Sequence, residues 1–117
     1  MNDPVFVDIK KQVGQWLESN KEKLNSNNIF LETLRDNENC IRVELNFGKL
    51  LAEILIEKPT FAPYRYVSFQ AGDIINGVFK MVYSWYDQEG VSIESILENL
   101  DKAIDIVWEY NNKKYIV

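Results

Sequence analysis

The stretch that decides the fold is residues 40–57, CIRVELNFGKLLAEILIE. In its first half Ile41, Val43, Leu45 and Phe47 alternate with Cys40, Arg42, Glu44 and Asn46, as in a strand with one buried and one wet face. Gly48-Lys49 is short enough for a hairpin turn. In the second half Leu50, Ala52, Ile54 and Ile56 continue the buried face. The other face, Leu51, Glu53, Leu55 and Glu57, is only half polar, which places this strand in the middle of a sheet.

Outward from this hairpin the elements follow in order. Ile29 to Arg35 reads as a strand closed by the turn cluster DNEN at 36–39. Before it, Phe6, Ile9, Val13, Trp16, Leu17, Asn20 and Leu24 recur at helical spacing, opened by Asp3-Pro4 and ended by NSNN at 25–28. Beyond the hairpin, the prolines of EKPTFAP at 57–63 mark a stiff crossover, because proline donates no ladder hydrogen bond. Tyr64 to Gln70 is expected as the fourth strand, with AGD at 71–73 as its turn. Val78 to Tyr86 is the fifth, Asn76-Gly77 being a bulge or irregular start, with Phe79, Met81, Tyr83 and Trp85 facing the core. Ser92 caps a last helix to about Asn111, whose stripe of Ile93, Ile96, Leu97, Leu100, Ala103, Ile104, Val107 and Trp108 suits packing on a sheet. Residues 112–117 are expected to fray.

The order α-β-β-β-β-β-α with short turns implies a single α+β domain over 1–117. It would be a two-layer sandwich: a mostly antiparallel five-stranded meander with the N- and C-terminal helices packed on one face.

Composition narrows the chemistry. The chain has no histidine, which removes histidine-based triads, histidine metal ligands and the commonest general acid/base. Its single cysteine, Cys40, excludes an internal disulfide and a thiolate zinc site, and reads as a reduced thiol on a strand. None of the five glycines falls in a phosphate-cradling motif. A carboxylate pair such as Glu44 and Glu53 lies on a wet sheet face, where acidic residues are routine. The expectation is therefore a protein that is not an enzyme and binds no cofactor or metal. A net charge of −5 disfavours nucleic acid, which demands a basic patch. Met1-Asn2-Asp3-Pro4 has neither part of a signal peptide, and no apolar run approaches the ~20 residues of a membrane span, so a cytoplasmic protein is expected.

Two surfaces stand out as candidate partner sites. On the last helix Glu94, Glu98, Asp101, Asp105 and Glu109 fall within roughly 80° of one another, beside the apolar stripe. An acidic flank of this kind suits a basic protein. On the sheet face left open by the helices, Glu53, Leu55, Tyr64, Tyr66 and Tyr86 combine carboxylate, aliphatic and aromatic groups, with Val82 and Lys80 beside them. Tyrosine-rich mixtures of this sort favour contact with a partner. The three tryptophans read as core anchors.

The helix FVDIKKQVGQWLESNKEKL with its W-x3-N-x3-L spacing, the segment IFLETLRDNENCIRVELN, the string APYRYVSF and the closing helix SIESILENLDKAIDIVWEY together resemble the TriTu-type immunity proteins of bacterial polymorphic toxin systems. The resemblance runs over residues 5–110. It implies a small cytosolic protein, without catalytic residues, that neutralises a cognate toxin. The acidic charge balance leads to the expectation of a basic toxin, and the two candidate surfaces to that of neutralisation by occlusion. From a different class, a chain of this size and charge also fits a homodimeric secretion chaperone or adaptor. The sequence leaves monomer and homodimer both open. A small-molecule binder or carboxylate-dependent enzyme would need a polar cavity between helices and sheet, which the large apolar core positions argue against.

Overall fold

A computed structural model describes residues 4–58, 66–88 and 90–113. Its elements are α1 (Pro4–Ser26), β1 (Phe30–Asn37), β2 (Cys40–Asn46), β3 (Leu51–Glu57), β4 (Val67–Ile75), β5 (Val78–Tyr86) and α2 (Ile93–Lys113). The strands form one antiparallel sheet in the order β1-β2-β3-β4-β5. Both helices pack on one face of it, giving the expected α+β layout.

The core follows from the alternation read in the sequence. Ile41, Val43 and Leu45 of β2, Ala52, Ile54 and Ile56 of β3, and Val67, Phe69 and Ala71 of β4 line up across the ladder. They meet Phe6, Ile9, Val13 and Leu17 of α1 and Ile96, Leu100, Ala103 and Val107 of α2 in one buried cluster. Burying each such aliphatic side chain stabilises by about 1.5–3 kcal/mol before the entropy of ordering is counted. Ser92 caps α2 as expected, its Oγ accepting the Ser95 N–H at 3.1 Å. α1 ends where Asn28 takes φ 62°, a left-handed conformation that asparagine tolerates at a helix C-terminus. Among the described residues no helix is long and apolar enough to cross a membrane.

The structure corrects four local expectations. AGD at 71–73 is not a turn: β4 runs straight through it to Ile75. Asn76-Gly77 is the turn instead, with φ of 53° and 78°, the doubly positive pair of a two-residue hairpin. A register shift between Ala71 and Gly72 then reverses the faces of β5. Tyr83 and Trp85 keep the core side, and Val82, expected on the open face, packs against the core with them. Phe79 and Met81 pass to the other side and are exposed. Glycine is required at 72, since a Cβ there would lie 2.5 Å from both the Lys80 carbonyl oxygen and the Phe79 ring. Finally, α2 continues through Asn112 to Lys113, where fraying was expected. The expected cap Asp3, most of the proline crossover (59–65) and the tail (114–117) lie outside the described residues.

Two buried polar side chains fasten the ends of the sheet, one to the strand beside it and one to α2. Asp87, just after β5, is 1% exposed, and its Oδ1 accepts the N–H groups of Tyr66 and Val67, each at 2.8 Å. Its own N–H donates to the Val67 carbonyl at 3.0 Å. At the far end of α2, Asn111 Oδ1 accepts the N–H groups of Lys49 and Leu50, each at 2.9 Å, and so holds the β2–β3 turn. Asp87→Ala would strand two buried donors and is expected to cost about 2–4 kcal/mol, whereas Asp87→Asn keeps an acceptor and should cost about half as much. Urea midpoints of the two variants check this order.

Candidate functional site: a groove between the helices

The acidic flank of α2 is where the sequence places it. Glu94, Glu98, Asp101, Asp105 and Glu109 are all exposed on one side of the helix. Two of the five stand toward α1: Asp101 Oδ1 accepts the indole N–H of Trp16 at 3.0 Å, and Asp105 lies one turn further along. Asp101 therefore spends one oxygen on joining the two helices.

Beside this bond the helices part to form an open groove of about 560 Å³. Trp16, Asn20 and Lys23 of α1 line one wall, and Asp101, Asp105 and Trp108 of α2 line the other. Trp108 is not the core anchor expected from the sequence. It lies one helical step outside the buried stripe and is 39% exposed, so its ring forms an accessible apolar wall next to two carboxylates. Asn20 is turned to its own helix, its Nδ2 donating to the Trp16 carbonyl at 2.7 Å. Glu94, Glu98 and Glu109 stand on the same flank outside the groove's lining. The walls combine an aromatic face, an aliphatic floor and a negative edge, which fits a cationic or aromatic side chain of a partner.

The open sheet face differs from its expected form. Tyr64 lies outside the described residues. Tyr66 is not on that face: it precedes the first residue of β4, so strand alternation does not govern it. Its ring packs at 5.4 Å from that of Phe6 on α1, leaving the residue 8% exposed. Glu53 accepts from Arg42 Nε at 2.8 Å. It also lies directly opposite Glu44, and Glu44 directly opposite Glu32, so three carboxylates run across β1, β2 and β3. Like charges so placed repel, and a half-exposed Arg42–Glu53 pair returns at most about 1 kcal/mol. Leu55 and Tyr86 flank Ser68 from the two neighbouring strands, and Ser68 is buried between them. The Tyr86 hydroxyl accepts from Gln70 Nε2 at 2.8 Å. Most of this face is thus occupied with its own contacts.

No group of three metal-ligating side chains occurs among the described residues. Cys40 is buried opposite Glu57. Burial first, and the Glu57 carboxylate second, push its thiol above the ordinary value, against a weaker opposite pull from Arg35. This is the environment of an inert thiol.

Two measurements test these placements. Asp101→Ala should cost about 1 kcal/mol, through the Trp16 indole left without its acceptor, and Asp101→Asn clearly less; urea unfolding resolves the two. For Cys40 the folded chain holds the thiol proton more tightly than the unfolded chain. The associated stability is present in full below the unfolded value near 9.0 and is lost as pH rises through the higher folded value. Urea midpoints between about pH 8 and about pH 10.5 should therefore fall more steeply for the natural chain than for Cys40→Ala.

Comparison of the chain with family models, with curated proteins and with solved structures gave no match, so its own geometry carries the functional reading.

Proposed function

We propose that this chain is a non-catalytic protein-binding module that neutralises a basic partner protein by covering its surface, in the manner of a toxin-specific immunity protein. The observation that carries this reading is the groove between α1 and α2, where the half-exposed Trp108 stands beside Asp101 and Asp105. Partner-binding energy concentrates on a few aromatic anchors, and tryptophan is prominent among them. The surrounding carboxylates, in a chain of net charge −5, would steer a basic protein to that anchor and speed the encounter. The resemblance of the helices and meander to TriTu-type immunity proteins agrees with such a role.

Among the two surfaces the groove is the stronger. The open sheet face has lost Tyr66 to the core, and its remaining carboxylate Glu53 already holds Arg42. A homodimeric adaptor draws on a different observation, the long edge of β5, which has no strand beside it among the described residues, and the two readings do not exclude one another.

The direct test is co-expression with the product of the adjacent gene. The reading expects that product to be toxic alone and harmless with this chain present; a harmless product, or undiminished toxicity, overturns it. With the partner in hand, Trp108→Ala should raise the dissociation rate by roughly 30-fold, the scale of an interface anchor. Glu98→Lys with Asp105→Lys should instead slow association and flatten its dependence on salt. Surface plasmon resonance at two ionic strengths separates these effects.

A further inference from the structure

The two edges of the sheet are built differently. β1, FLETLRDN, carries Glu32, Arg35 and Asp36 and a register shift between Thr33 and Arg35, which are devices that discourage pairing with another strand. β5, VFKMVYSWY, has a bulge of its own at Val82, but it is nine residues long with one charge, Lys80, and no proline. Its outer row of backbone groups has no strand beside it among the described residues. A long apolar edge of this kind is a template for pairing.

The surroundings of β5 extend the apolar surface. Gly72 is the last residue of β4 paired with β3, so residues 73–75 and 78–80 project beyond β3 as a two-stranded ribbon. Ile74, Ile75, Val78 and Phe79 on it, and Met81 beside it, are all exposed, Val78 by 66%. Above the edge runs another flank of α2, about a third of a turn from its acidic one. Ser95 and Asn99 on this flank line a surface depression together with Ser84, Trp85 and Tyr86. The same flank continues at helical spacing through Lys102 to Ile106, Tyr110 and Lys113, all exposed. Asn111, held on the β2–β3 turn, places that end of α2 at the ribbon's end of the sheet.

We infer that β5 is the seam of a homodimer, in which two copies pair their β5 edges antiparallel about a two-fold axis and join their five-stranded sheets into one. Charge selects the occupant. Two chains of −5 each repel least where carboxylates are few: β5 carries none, and of the α2 carboxylates Asp101 and Asp105 line the groove on the α1 side. On the ribbon the one acid, Asp73, lies directly opposite the one base, Lys80, and the adjoining flank of α2 carries only the bases Lys102 and Lys113. A basic partner would be repelled by such a seam, whereas an identical chain brings no carboxylate row to it. An antiparallel strand is its own complement under a two-fold axis, so both rows of backbone groups are satisfied at once. On the edge itself and the flank, Val78, Phe79, Met81, Ile106 and Tyr110 present on the order of 500 Å² of exposed side chain, to which the paired backbone rows add, against the ~800 Å² per partner of a standard interface. The seam leaves the helix groove free, so the inference stands apart from the groove's role.

Sedimentation velocity on the natural chain from about 1 to about 200 µM should give a species of twice 13.7 kDa. Val78→Lys with Met81→Glu, both at exposed positions, should weaken dimerisation at least tenfold while cooperative thermal unfolding persists. Val7→Glu, exposed on α1, should leave the dimer intact. Amide exchange along β5 should slow as protein concentration rises, and exchange along β1 should not. A monomer throughout the concentration range, an open-ended series of oligomers, or a dimer unaffected by Val78→Lys with Met81→Glu would overturn the inference. If those variants fail to fold, β5 amide exchange in the natural chain decides alone: concentration-independent exchange refutes the seam.

Discussion

The carboxylate of Asp87 accepting two backbone N–H groups at the start of β4 is the contact on which the rest of the molecule depends. It closes the end of the β4–β5 hairpin and fixes where the chain leaves the sheet for α2. Asn111 repeats the device at the opposite end, holding the β2–β3 turn with one oxygen. One buried acceptor thereby holds the C-terminal end of α2 and the other the end of β5 from which the chain leaves for α2, each satisfying two donors that burial would otherwise leave costly. Apolar packing presses the helix onto the sheet but tolerates sliding. The two polar clamps set its position along the strands.

That position decides the distribution of charge. Asp101 reaches Trp16 and Asp105 lines the same groove, while Ser95 and Asn99 share a surface depression with β5. One helix thus presents a negative, aromatic-walled groove on one flank and, on another, a surface without carboxylates that carries Lys102 and Lys113. The first suits a basic protein and the second an identical acidic chain. Electrostatic repulsion between copies would otherwise oppose self-association at almost any surface of a chain with this charge balance.

The bulge at Ala71/Gly72 has a comparable reach. One extra residue on β5 moves Phe79 and Met81 off the core face and brings Val82 onto it. The ribbon beyond the bulge then carries its apolar residues into solvent rather than under the helices. Unbroken alternation would have turned Phe79 and Met81 to the helix-bearing face instead.

The alternation of residues 40–57 and the helical spacing of the two amphipathic segments were enough to determine the element order, the antiparallel meander and the helix-bearing face. These features rest on periods of 2 and 3.6, which a chain displays locally. The acidic flank of α2 was legible for the same reason. What its carboxylates face was not, since the Trp16–Asp101 bond joins residues 85 positions apart. Nor could Tyr66 be assigned to the Phe6 ring, because a residue just outside a strand escapes the strand's alternation. The exposure of Trp108, the reversal of faces on β5 and the two acceptor clamps were likewise decided by tertiary structure. Each depends on where separate elements come to rest against one another, and no local period encodes that.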